Sequence, residues 1–307
     1  MSAAGRSIGA GLGIVLDQVL GEPGVEPHPV AAFGSLMERV ETRWWADSRA
    51  RGGGQLAAGL AVGLGAGLPL PGGLVGTAGA TYVSVAGHGL VDAARRIGTV
   101  LEAGDLEAAR AALPSLVGRD PRGLDAADIA RAVVESVAEN TVDAVVAPAL
   151  WGALAGPSGT LAYRAVNTLD AMVGYRSERY ERYGWASARA DDLANLVPAR
   201  VTALLVAACR PSKAGAVRTI VTRDARHHPS PNAGVAEAAF AAALGLQLGG
   251  TNRYGEQVEQ RALLGDGPPP GPADIDRACH LSRDVAGALA AALGVIGMLG
   301  MVRRRRA

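Results

Sequence analysis

Glu135-Ser136-Val137-Ala138-Glu139-Asn140-Thr141-Val142-Asp143 runs straight into Ala144-Val145-Val146-Ala147-Pro148-Ala149-Leu150-Trp151-Gly152-Ala153-Leu154-Ala155-Gly156-Pro157-Ser158-Gly159-Thr160-Leu161-Ala162-Tyr163. Arg131, Glu135, Glu139 and Asp143 recur at i, i+4, so the first half reads as a helix carrying one charged stripe. The second half has no charge and is apolar enough to enter a bilayer, where an ionised carboxylate needs a partner. Pro148, Gly156 and Pro157 interrupt it, and broken helices at membrane depth are tolerated where they line a cavity. This juxtaposition of acids and broken apolar helix predicts an all-α, polytopic integral membrane protein with broken or short spans and sizeable helical extramembrane loops.

The rest of the chain extends that reading. Spans are expected near 7–20, over 55–90 as one or two, over 144–163 and over 285–302, within a single membrane domain 1–307. The first apolar run ends at Asp17 and is followed by Gly21-Glu22-Pro23 instead of a small-residue cleavage site, so it is expected to be retained. Residues 30–45 have helical amphipathic spacing and end in Trp44-Trp45, placing an interfacial helix at headgroup depth. The uncharged stretch 52–87 is divided by Pro69 and Pro71, and Gly59, Gly63 and Gly67 repeat every four residues, a pattern that lets helices approach closely in lipid. Segment 92–131 is charged and helical, with Asp125 placed to cap a helix. Arg303–Arg306 follow the last apolar run, so the C-terminus is expected on the cytoplasmic side of the cell membrane.

Composition narrows the chemistry. A formal charge of +1 gives no electrostatic argument for nucleic acid as a partner. Lys213 is the only lysine and stands in Arg-Pro-Ser-Lys, which excludes a Gly-x-x-x-x-Gly-Lys-Ser/Thr phosphate loop. Cys209 and Cys279 have no metal-type spacing and read as packing residues.

Three clusters pair carboxylates with an amide: Glu135, Glu139, Asn140 and Asp143; then Asn167 and Asp170; then Asp191, Asp192 and Asn195. A solvated acidic face is the ordinary explanation of such a stripe. Against it stand a mid-helix asparagine and two further clusters flanking the same apolar run. A carboxylate beside an amide oxygen suits a hard cation, and magnesium takes one or two carboxylates plus substrate phosphates. Arg119, Arg164, Arg176, Arg189 and Arg200 can grip phosphate oxygens. His228 could be a general base or could serve its turn-rich loop; His28, bracketed by Pro27 and Pro29, reads first as structural. Together these residues point to magnesium-assisted chemistry on a phosphorylated substrate at a membrane.

The motifs at 135–141, Tyr-Arg-Ala-Val-Asn-Thr-Leu-Asp-Ala-Met-Val-Gly-Tyr at 163–175 and Ala-Ser-Ala-Arg-Ala-Asp-Asp-Leu-Ala-Asn at 186–195 resemble the CobD/CbiB family of cobalamin biosynthesis. So do Gly118-Arg119-Asp120, the loop 26–30, the run 223–232 from Arg223 to Asn232, Gly249-Gly250-Thr251-Asn252-Arg253-Tyr254 and Leu264-Gly265-Asp266. The resemblance covers about 17–266 in order; Val142 and Ala144 depart from the residues frequent there and leave the acids intact. It implies an adenosylcobinamide-phosphate synthase. Such an enzyme uses ATP and Mg2+ to join adenosylcobyric acid, a corrinoid, to (R)-1-aminopropan-2-ol phosphate or aminopropanol as an amide. It leaves room for partnership with other membrane enzymes of that pathway. On this reading Glu135, Glu139, Asp143, Asp170 and His228 are catalytic candidates. His28, Arg119, Arg164, Asn167, Arg176, Arg189, Arg223 and Asn232 would bind substrate or phosphate. Glu139, Asn140, Asp143, Asp191, Asp192 and Asn195 would hold the metal. Two alternatives remain: a non-catalytic membrane sensor or helper of the AmpE type, and a magnesium-dependent membrane prenyltransferase.

Overall fold

The computed structural model describes residues 2–118, 120–175, 177–254 and 257–306, with side chains described outside 252–259 and 304–306. Its elements in order are α1 (Ala3–Leu20), α2 (Pro29–Trp44), α3 (Arg49–Gly67), α4 (Leu74–Ser84), α5 (Gly87–Glu102), α6 (Leu106–Ala112), α7 (Ala126–Thr141), α8 (Ala147–Val173), α9 (Trp185–Cys209), α10 (Ala214–Asp224), α11 (Ala233–Leu244), β1 (Leu248–Tyr254), β2 (Gln257–Leu264) and α12 (Pro272–Arg306). The chain is helical, as its apolar periodicity requires. Among the described residues the one sheet is the antiparallel pair β1–β2, with a register shift between Leu248 and Gly250.

Two compact units divide the chain. One comprises Met1–Ala86, Asp143–Asn195 and Leu289–Ala307; the other comprises Gly87–Val142 and Leu196–Ala288. Among the described residues three helical stretches are long and apolar enough to cross a membrane: Ala126–Val173, Trp185–Cys209 and Pro272–Arg303. The last contains the expected span 285–302. The second, α9, lies outside the four expected spans, because Arg189, Asp191 and Asp192 interrupt the apolar pattern of its first half. The expected segments 7–20 and 55–90 are helical as α1 and as the pair α3 and α4, which separate over 68–73 around Pro69 and Pro71. Neither α1, α3 nor α4 is among the three membrane-length stretches.

The segment 144–163 is not one straight span. Gly156 has φ 73° and ψ −156°, and the chain reverses there into a helical hairpin. Thr160 Oγ1 donates to the Pro148 carbonyl at 3.3 Å, and Tyr163 Oη donates to the Asp143 carbonyl at 3.3 Å. Along a straight helix those last two residues would be about 30 Å apart. The first limb of α8, 147–155, is about 14 Å long, well short of a hydrocarbon core of about 30 Å. Gly152 lies opposite Thr160, where an added Cβ would come within 2.5 Å of Oγ1, so the limbs close tightly.

The glycine repeat of α3 packs against the second limb. A Cβ at Gly59 would meet Leu169 at 2.5 Å, at Gly63 the Leu161 carbonyl at 2.7 Å, and at Gly67 Ser158 at 2.4 Å. The order 59, 63, 67 against 169, 161, 158 is that of antiparallel helices in contact along a seam of small residues.

Candidate active site

α7 hands over to α8 through a π-helical turn, Val142–Val146, which carries Asp143. In the unit holding both limbs of α8, the hairpin and α9 then bring the Asn and Asp residues together. Asn167 Nδ2 donates to Asp143 Oδ2 at 3.3 Å and to Asp191 Oδ1 at 3.2 Å, so one amide joins two carboxylates. Asn195 Nδ2 donates to Asp191 Oδ2 at 2.9 Å, and Asn195 Oδ1 accepts from Tyr163 Oη at 3.0 Å. Arg164 Nη1 donates to Asn167 Oδ1 at 3.3 Å, which fixes the amide with its NH2 toward the acids. Trp151 Nε1 donates to the Ala194 carbonyl at 3.1 Å and ties the first limb to α9. Asn195 and Tyr163 are buried, Asp143 and Asp191 half-buried, and Asp192 pairs with exposed Arg189 at 3.5 Å.

This donor set fits a hard cation. Asp143 and Asp191 offer two carboxylates to one point, and Asn167 already satisfies both with a single nitrogen. Magnesium is commonly held by such a pair, with water and substrate phosphates filling its remaining positions. Among the described residues no three of His, Cys, Asp or Glu gather as a metal cluster by themselves.

Asp170 turns its carboxylate over Gly174 at the end of α8, where a Cβ would meet Oδ1 at 1.8 Å. His28 caps α2, its Nδ1 accepting from Val30 N–H at 3.3 Å, in line with its structural reading. Arg119 and Arg176 lie outside the described residues.

Glu135, Glu139, Asn140, Arg223, His228 and Asn232 belong to the other unit. There Glu135 Oε1 accepts from Gly249 N–H at 2.8 Å and faces Arg131 Nη1 at 3.7 Å. Arg131 also donates to the carbonyls of Gly249 (2.7 Å) and Thr251 (3.0 Å) and to Asp128 (2.8 Å). These bonds seat the start of β1, so the Glu135 carboxylate is engaged in holding the hairpin. Glu139 is exposed, and Asn140 Nδ2 folds back onto the Ser136 carbonyl at 2.9 Å. His228 is nearly fully buried; Nδ1 accepts from Ser230 N–H at 3.1 Å while Nε2 stands 3.7 Å from Glu237 and 3.5 Å from Arg261. Asn232 Oδ1 accepts from Arg200 at 2.9 Å. Arg223 spans Asp224 and Asp266, and the Asp224 carboxylate also accepts from Gly265 N–H at 2.9 Å. The Arg223 guanidinium holds the Asp224 carboxyl below its ordinary range.

Sequence reasoning did not single out Tyr163, whose hydroxyl links Asn195 to the Asp143 backbone. Its one sequence signal was its place inside the motif 163–175. The β1–β2 hairpin was likewise unanticipated: it opens on two glycines at positive φ and carries polar residues, so no apolar alternation marks it.

The CobD/Cbib protein family model matches residues 10–282. A Mycobacterium tuberculosis protein named "Cobalamin biosynthesis protein CobD" is 49% identical over 98% of this chain and 97% of its own length. Proteins of the same name from Rhodobacter capsulatus and Halalkalibacterium halodurans are 42% and 39% identical, each covering 90% of this chain and 91% and 92% of their own lengths. No solved structure matches the chain. On these matches, which run through both compact units, the chain belongs to the CobD/CbiB family.

Proposed function

We propose that this chain is a membrane enzyme of cobalamin biosynthesis that forms an amide between the carboxylate of adenosylcobyric acid and the amine of (R)-1-aminopropan-2-ol phosphate, or of aminopropanol, at the expense of ATP. The observation that carries the reading is the near full-length match to relatives named for cobalamin biosynthesis, joined to a half-buried pair of carboxylates cross-linked by Asn167. A carboxylate is a poor acyl donor. Transfer of the ATP γ-phosphoryl group to it, with ADP leaving, gives an acyl phosphate. The amine nitrogen then attacks the acyl carbon, phosphate departs, and the proton lost from nitrogen passes to a carboxylate of the cluster.

Asp143 and Asp191 are the residues that would hold Mg2+, which when bound neutralises phosphate charge during transfer. Asn167 and Asn195 keep both carboxylates aimed at one point, and Tyr163 locks Asn195. Arg189, exposed beside Asp192, is the guanidinium available to phosphate oxygens. The chain lies in the cell membrane with its C-terminus cytoplasmic, supported by the basic run after α12; a C-terminal phosphatase fusion that is active outside the cytoplasm would contradict that orientation.

The test is purified protein in detergent with ATP, magnesium, adenosylcobyric acid and each amine. Amide product with matching ADP release is expected, and none without ATP. No product with either amine, from protein that is folded and monodisperse, would overturn the assignment and favour a helper role.

A further inference from the structure

Apart from the polar cluster, the same unit contains an apolar cavity of about 640 Å³ between α2, α3, α4 and the second limb of α8. That volume lies within the range of small-molecule sites, which are typically apolar with one or two placed polar groups. Phe33, Val62, Ala66, Val83 and Leu161 are among its walls, and Leu36, Leu70 and Val75 at 41%, 37% and 69% exposure also line it. Among the described residues its single charged lining group is Arg164. That side chain spends Nη1 on Asn167, while its Nε is buried with no hydrogen-bond partner. A guanidinium at the wall of an apolar chamber is matched by an amphiphile with an anionic head, and a phosphate takes two of its donors at once. Charged groups at membrane depth face a cavity or a partner, and the α8 wall belongs to a membrane-length apolar stretch.

We propose that the cavity seats one acyl chain of a diacyl phospholipid along the α2–α3–α4 walls, with the phosphate on Arg164 and the second chain outside the chamber. The inference does not depend on the amide-forming reaction, because it concerns the apolar chamber and the donors of Arg164 that Asn167 leaves over. Gly79 on α4 lines the cavity, and a Cβ there meets nothing within 4 Å, so a large side chain at this position fills the chamber without striking backbone. Gly65 on α3 is equally open but lies outside the lining, and supplies the control.

The experiment is native mass spectrometry of the full chain in detergent, after exchange into phosphatidylglycerol and a delipidating wash. One retained phospholipid per chain is expected for wild type and Gly65→Phe, with retention at least tenfold lower in Gly79→Phe. Should Gly79→Phe aggregate, Val75→Trp at another lining position carries the same prediction. Diacylglycerol of equal chain length should compete at least tenfold less well than phosphatidylglycerol. Detergent alone on wild type, equal retention in the filled variant, or equal competition by diacylglycerol would each overturn the proposal.

Discussion

Glu135 and Asp143 occupy the same i, i+4 stripe, yet they do different work. Glu135 is buried beside Arg131 and receives the Gly249 N–H, so Glu135→Ala leaves that buried backbone donor without its carboxylate acceptor, while Arg131 keeps Asp128 and the Gly249 and Thr251 carbonyls. A loss of about 1–3 kcal/mol is expected, read from unfolding of the detergent-solubilised chain, as for a buried donor left unsatisfied. Spacing and the family resemblance together placed both acids among the catalytic candidates. Neither could separate them, because the Gly249 partner is 114 residues away and the π-turn that carries Asp143 has no residue signature. Asp224 makes a pH-dependent prediction. Its folded carboxyl titrates below the ordinary aspartate value because Arg223 bonds it, so the unfolded chain binds more protons in the acidic range. The stabilisation is therefore complete above about pH 4 to 5 and is lost as pH falls toward the lowered folded value. Melting temperature should fall more steeply on acidification in wild type than in Arg223→Ala; parallel curves would remove the linkage.

At the scale of elements, the reversal at Gly156 decides whether the polar cluster exists. Its φ and ψ fall in a region open essentially to glycine, so Gly156→Ala should cost about 1–3 kcal/mol and loosen the approach of Asn167 to Asp143. Reduced stability together with reduced turnover is expected from denaturation and rate measurements on that variant; wild-type values for both would show the turn to be dispensable. The break in the apolar run was legible from Gly156-Pro157, and the glycine seam of α3 from its four-residue repeat. The sense of the break was not. A Gly-Pro pair interrupts a helix equally well as a kink or a hairpin, and contacts such as Thr160 with Pro148 choose between them. Strands β1 and β2 escaped notice for a different reason: bonds from Arg131 and Glu135 seat the start of β1, and neither strand alternates apolar and polar residues.

For the whole molecule, composition and long apolar runs made the helical, membrane-length character legible, and ordered motifs across the chain made the family legible. The sequence does not say which members of the three acid-and-amide clusters share a unit. Asp143, Asn167, Asp191 and Asn195 gather in one unit, and Glu135, Glu139, Asn140 and His228 belong to the other. The reversal at Gly156 brings the Asp143 turn back beside Asn167 and the start of α9, and no local spacing encodes that return. The most direct test is the rate of ADP release dependent on both adenosylcobyric acid and the amine, compared between wild type and Asp191→Asn, with circular dichroism confirming equal helicity. If the carboxylates joined by Asn167 form the reaction centre, turnover should fall by about a hundredfold while the helix signal is unchanged. Wild-type turnover by Asp191→Asn would place the chemistry elsewhere and contradict it.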